Sequence, residues 1–344
     1  MPHQLSVPTR INNPSKEELA DAGARLEGGE GLVVQFDRAI YTSNDLKTID
    51  ELSARYGSQL EVRFYGHYNS DFDAKALLEV PSVANLSIDC LQSVLNVETL
   101  ATLTHLERLS IGVHNLAAPT LLKNPNLQTV RSLSLGPTKS NNLDLSYLSG
   151  YGQLESLYLS GHTRGIDAIS DLAMLKSLAL WCIPKRTQFD FIGGVTNLSR
   201  LTIGLGGRDS ISEVAAPKLQ ELEIVRVRGL SKLEGLDRFP ELTALTVEDQ
   251  IQLKHLDITP ANSRLKHLKL FNCKTLQSVS GLEHLIELNE IRLGLTAVDP
   301  AHFLSTSFSS NLKICAFYTG KSREDRRIRE ALDARGYLEF RNGT

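Results

Sequence analysis

From Val83 onward the chain repeats an aliphatic-x-x-aliphatic-x-aliphatic pattern at intervals of 21 to 24 residues, eleven times. The leading position is Val83, Leu106, Val130, Leu154, Leu175, Leu198, Leu219, Leu242, Leu265, Leu288 and Leu312. The last two core positions of each copy straddle one non-core residue, as in Leu109-Ser110-Ile111, which is the two-residue period of a short strand. A fixed period of this length predicts a solenoid, in which each copy packs on its neighbours. Its strands would then lie side by side in a parallel sheet about 4.8 Å apart. The return path carries apolar residues at every third position: Val94, Val97, Leu100, Leu103 and Leu106; Leu230, Leu233, Leu236, Phe239 and Leu242; Leu276, Val279, Leu282, Leu285 and Leu288. Spacing of three predicts 3₁₀ turns, whose side chains eclipse at i and i+3, rather than long α-helices.

The pattern changes at both ends, as the outer faces of a solenoid require. Ser15-x-x-Glu18 behind Pro14 predicts a capped helix that Gly28 ends. Val34/Phe36 and Val62/Phe64 predict two degenerate strands, with Leu46, Ile49, Leu52 and Tyr56 forming the apolar stripe of a helix between them. Ser322-x-x-Asp325 predicts the start of a last helix with Ile328 and Leu332 inward, ended by Gly336. The expected organisation is one continuous solenoid domain: an N-terminal cap over residues 1–82, about eleven repeats over 83–320 and a helical cap over 321–344.

These triplets resemble the leucine-rich repeat family, whose pattern is L-x-x-L-x-L-x-x-N/C-x-L, and in repeat length they look most like its short internalin-like class. The resemblance covers Val83 to Gly320. It implies an α/β leucine-rich-repeat solenoid of bacterial type, a curved horseshoe with the parallel sheet on its concave face, 3₁₀ or irregular turns on the convex face and helical caps. One departure stands out. The family's Asn at the ninth position is absent; this chain has Leu91, His114, Thr138, His162, Ile183, Gly206, Val227, Gln250, Cys273, Thr296 and Gly320 there. Only Cys273 fits the consensus, so irregular turns and uneven curvature are expected.

Composition adds little direction. A formal charge of −3 with interspersed signs offers no field for nucleic acid or a membrane surface. No run approaches a membrane span, and Met1–Arg10 has no apolar signal segment, so a cytoplasmic monomer is the expectation. Repeat geometry then removes the tempting chemistry. His114 and His162 lie two repeats apart, about 10 Å, too far to share a zinc ion. Cys90 and Cys182 lie four repeats apart, about 19 Å, which excludes a disulfide. Gly204-Leu205-Gly206-Gly207 lacks the Lys-Ser/Thr of a phosphate loop. No nucleophile, base and orienting group are brought together, so no catalytic residue, metal or cofactor is expected.

What remains is a surface. Third, fifth and seventh repeat positions face away from the core. The early repeats place small residues there, whereas later ones place aromatics and charges: Tyr158, Trp181, Glu223, Glu248, His267, Lys269, Phe271, Arg292 and Tyr318. Such residue types dominate protein-binding hot spots. Lys269 and Arg292 share a column on adjacent strands, so either Glu290 and Glu248 neutralise them or a partner's carboxylates do. Trp181 either stays open or lies flat over Gly204. The expectation is a non-catalytic protein–protein interaction scaffold of unknown partner, such as an immunity or inhibitor protein or a regulatory adaptor. The alternative is an enzyme or small-anion site near the C-terminal cap, built on Arg323, Arg326 or Arg327.

Overall fold

A computed structural model describes residues 8–68 and 70–338. Each of the eleven triplets forms a strand; three strands of the same series precede them, and a two-residue strand at Phe72–Asp73 pairs with Val94–Leu95 apart from that series. The chain divides into two compact units, Met1–Leu175 and Lys176–Thr344. In the first unit seven parallel strands run in chain order: β1 (Thr9–Asn12), β2 (Leu32–Phe36), β3 (Leu60–Gly66), β4 (Asn85–Leu91), β5 (Arg108–Val113), β6 (Ser132–Leu135) and β7 (Ser156–Ser160). The second unit repeats the arrangement with β8 (Ser177–Trp181), β9 (Arg200–Gly204), β10 (Glu221–Val225), β11 (Ala244–Glu248), β12 (His267–Phe271), β13 (Glu290–Gly294) and β14 (Ile314–Tyr318).

The register explains why the repeat length is tolerated within such narrow limits. Leu201 stands opposite Leu222, Leu222 opposite Leu245, and Leu268 opposite Ile291, so equivalent side chains stack in columns. All of these are buried. Burying each is worth roughly 1.5–3 kcal/mol, and a one-residue slip would turn the column to solvent. The return segments contain 3₁₀ turns within the three-residue ladders, at Val97–Thr102, Leu236–Arg238 and Leu282–His284, while Val94–Leu95 and Ser278–Ser280 of two ladders are short strands instead. Leu230, Leu233, Phe239 and Leu242 are all buried beneath that sheet.

The missing asparagines are replaced by backbone. The residue after the strand has positive φ at Cys182, Leu205, Arg226, Asp249, Asn272 and Leu295. This turns its N–H onto the last carbonyl of the next strand: Leu205 to Val225 at 3.0 Å, Arg226 to Glu248 at 2.9 Å, Asp249 to Phe271 at 3.0 Å. The ladder therefore continues one residue past the sheet. At the following position Gln250 donates from Nε2 to the Glu248 carbonyl at 2.7 Å, and the Cys273 thiol lies 3.5 Å from the carbonyls of Val247 and Phe271. In the first unit the buried His162 contacts the Gly136 carbonyl through Nε2 at 3.0 Å. Burial holds that imidazole below its ordinary pKa. In the first unit the register shifts at Tyr65/Gly66 and Ile88/Leu91. The second unit's strand pairs carry no shift. Its return segments vary all the same, as expected: a 3₁₀ turn at Asp190–Gly194, a short strand at Ser278–Ser280 and an α-helix at Pro300–Ser305.

Helices α1 (Lys16–Glu27) and α2 (Ser43–Tyr56) flank the first strands. The Ser15/Glu18 capping box and the Gly28 stop are present as predicted. A short α3 (Pro300–Ser305), capped by Asp299, was not signalled by periodicity, because six residues are too few to show it. Helix α4 (Ser322–Asp333) buries Ile328 and Leu332. Its N-cap is Lys321 rather than Ser322. Asp325 instead accepts from the Thr319 N–H and hydroxyl at 2.7 Å each, fastening the helix to the end of β14.

Candidate functional site

The second unit's sheet has one face on the core and one facing outward, and its outer face assembles most of the predicted residues. One row at the strand ends is continuous in register: Trp181, Gly204, Val225, Glu248, Phe271, Gly294 and Tyr318. Adjacent strands lie about 4.8 Å apart, so Trp181 and Phe271 are about 19 Å from each other. Both rings lie over a glycine on the next strand. A Cβ at Gly204 would sit 2.6 Å from Trp181 Cε3, and one at Gly294 would sit 2.6 Å from Phe271 Cδ2. The glycines thus leave space that any other residue would take from the rings.

This resolves the alternatives for Trp181 in favour of neither extreme. The indole covers Gly204 and is still half-exposed. Phe271 is 48% exposed despite its seat on Gly294, so an apolar ring stands open in the row. Tyr318 follows on β14 beyond Gly294, half-exposed. Ring faces held flat by a backbone lose little further freedom when a partner covers them.

Beside the row sits a charged cluster. Glu290 on β13 is buried at 7% exposure. His267 Nδ1 lies 3.0 Å from its Oε2, Lys269 Nζ lies 3.8 Å from its Oε1, and the Arg292 Nε donates to that same Oε1. Burial pushes the Glu290 carboxyl up; hydrogen bonds from Arg292 and His267, with the charges of Lys269 and Arg292, outweigh it and hold the group below its usual 4.5. The like charges of Lys269 and Arg292, opposite each other in register, are therefore reconciled inside the protein by Glu290. His267 and Lys269 remain exposed and Arg292 half-exposed. Lys269 and Arg292 thus share one carboxylate with His267 beside it. Glu248, opposite Phe271, bounds the cluster on the β11 side.

The other predicted residues are more scattered. Glu223 lies exposed on β10 and accepts from the Thr202 hydroxyl at 3.0 Å. Tyr158 is half-buried in the middle of β7, in the first unit. The outward columns are not uniformly open: Ser87, Ser160, Glu290 and Ala316 are buried. At the C-terminal cap, Arg323, Arg326 and Arg327 are all exposed on α4, and the small pocket beneath that helix is lined by Asp325, Arg329 and Asp333 instead. Among the described residues no group of three or more His, Cys, Asp or Glu could hold a metal ion, and no helix is long and apolar enough to cross a membrane.

Two features escaped the sequence. One is Arg208, buried with its guanidinium 3.3 Å from the centre of the Phe189 ring and 2.6 Å from the Glu213 carboxylate. The other is the column just past the strands, where positive φ directs Leu205, Arg226, Asp249 and Asn272 to the rim. Its signal in the sequence is the recurrence of Leu205, Arg226, Asp249 and Asn272 at the repeat interval, one residue past the seventh position.

The same strand and turn geometry occurs in solved structures. An internalin (inlF) from Listeria monocytogenes aligns over 84% of this chain and 78% of its own, with 19% identity and a TM-score of 0.57. The chain has the leucine-rich-repeat fold. A chain of the Toll–Spatzle complex from Drosophila aligns over 97% of this chain at 12% identity with a TM-score of 0.50, and the alignment covers 54% of that chain. No family model matches the sequence, and no curated protein matches it.

Proposed function

We propose that this leucine-rich-repeat protein binds another protein on the outer sheet face of its second unit. The contact centres on Phe271 and Tyr318, with His267, Lys269 and Arg292 beside them and Trp181 and Glu223 extending it toward β8. The observation that carries this reading is the open Phe271 ring on Gly294, next to a charged cluster that Glu290 holds in place. An aromatic anchor in a charged frame is the composition of binding hot spots, and a sheet that fixes each side chain in register keeps the ordering cost low. The exposed Lys269 beside the open ring favours a partner that sets a carboxylate opposite it. By analogy of fold alone, the Toll structure is that of a complex with another protein. A bacterial immunity or inhibitor protein, or a regulatory adaptor, are the finer forms of this proposal.

The test is affinity capture from the source organism with wild type and a Phe271→Ala/Lys269→Glu variant that melts like wild type. At least one captured protein should be lost from the variant. Equal capture of every partner by both would refute the sheet-face site.

A further inference from the structure

We propose that the rim of the second unit carries a separate docking pocket for an acidic peptide segment with one aliphatic side chain. The site lies off the sheet face and does not rest on the reading given for that face. It is a pocket of about 380 Å³ built from the four turns that follow β9, β10, β11 and β12. Leu205, Val227 and Ile251 supply its apolar surface. Leu205 is 45% exposed and Ile251 63%, so two large aliphatic side chains from repeats two apart stand in water lining one cavity.

Charge decides what fills it. Arg226, Arg228 and Lys274 line the pocket against one carboxylate, Asp249. That carboxylate is already committed: Arg226 Nη2 reaches it at 2.6 Å and Asn272 Nδ2 at 2.5 Å. These bonds hold the Asp249 carboxyl below its usual range. Arg228 and Lys274 have no ion-pair partner among the described residues. Three cations therefore face one carboxylate over an aliphatic floor, and Lys274 acts on that carboxylate at longer range. A purely apolar ligand would leave the cations unused, and a polyanion such as nucleic acid would leave Leu205 and Ile251 uncovered. A peptide with carboxylates flanking a leucine-like side chain satisfies both.

The pocket is also pre-formed. Its backbone is pinned by the extended ladder: Leu205 N–H to Val225, Arg226 N–H to Glu248, Arg228 N–H to Gly206 at 2.9 Å, and Arg208 N–H to Arg228 at 3.0 Å. Little chain ordering is left to oppose binding. Leu205 itself holds φ +53, a conformation that favours Gly or Asn.

Methyl NMR on the full chain, following Leu205 and Ile251, tests the site with three peptides: acetyl-Asp-Glu-Leu-Asp-Glu-amide, its Leu→Ser form, and a form with Lys at each acidic position. The acidic leucine peptide should give saturable shifts confined to Leu205 and Ile251. The Ser and Lys forms should bind about tenfold more weakly or worse. An Arg228→Glu/Lys274→Glu variant alters only exposed side chains; it should melt like wild type and lose about tenfold in affinity. Equal binding of the acidic and basic peptides, shifts with no saturation, shifts produced by inorganic phosphate alone, or shifts appearing on the sheet face would each overturn the proposal. A Phe271→Ala/Lys269→Glu protein should bind the peptide normally, which separates this site from the sheet-face reading.

Discussion

The buried pair Arg208–Glu213 should be the most sensitive polar contact in the second unit. The Arg208 side chain is 5% exposed and Glu213 18%. The guanidinium is held by Glu213 at 2.6 Å, by the Thr187 carbonyl at 3.2 Å and by the face of Phe189. Glu213→Gln keeps the shape and removes the compensating charge. Stranding one charge of a buried pair costs about 3–5 kcal/mol. Residual water at Glu213 and the ring's attraction for a desolvated cation place this case near the lower end, about 3 kcal/mol. Replacing both partners, Arg208→Met with Glu213→Leu, removes the charge and its need for a partner together, and should stay within about 1 kcal/mol of wild type. Trp181 is the only tryptophan, and it ends the strand that leads into the Thr187–Phe189 segment, so its fluorescence reports this region directly. A local probe is preferable because repeat arrays can unfold in more than one step. With a urea slope of about 2 kcal/mol/M, Glu213→Gln should lower the Trp181 midpoint by about 1.5 M. A shift below about 0.3 M, or a double variant no more stable than the single one, would refute the assignment of a desolvated, paired cation.

Two further outcomes follow from the site geometry. Glu290 has a folded pKa below its unfolded value, so the stability it contributes is present above about pH 4.5 and is lost as pH falls through the folded value. Wild type should therefore lose stability on acidification more steeply than Glu290→Gln; parallel acid melting curves would contradict the cluster. Burial pushes the thiols of Cys273 and Cys315 up to about 11 and about 12, whereas Cys90 and Cys182 are exposed. A thiol reagent at neutral pH should modify Cys90 and Cys182 quickly and the other two only after unfolding; mass mapping that finds Cys273 modified in the native protein would contradict that burial.

The eleven triplets carried the fold because the information is periodic: each copy states the same core positions, and a register error in one is corrected by ten others. The 3₁₀ return turns were legible for the same reason, since Leu230 to Leu242 spell out a three-residue period. The exposed patch was legible in part. The columns located His267, Lys269, Phe271, Arg292 and Tyr318 on neighbouring strands, because register maps sequence distance onto surface distance. Other features depended on contacts that no spacing encodes. Whether Trp181 covers Gly204, whether Glu290 is the buried centre of three bases, and whether Arg208 turns inward onto Phe189 depend on rotamers chosen largely by neighbours on adjacent repeats, 19 to 23 residues away. The rim pocket depended on backbone sign: only the positive φ at Leu205, Arg226, Asp249 and Asn272 turns that column out of the sheet plane. Sequence alone determined which residues recur at each level of the stack, because core burial enforces the period; the tertiary structure decided which outward side chains meet, because those contacts are set by individual torsions that burial leaves free.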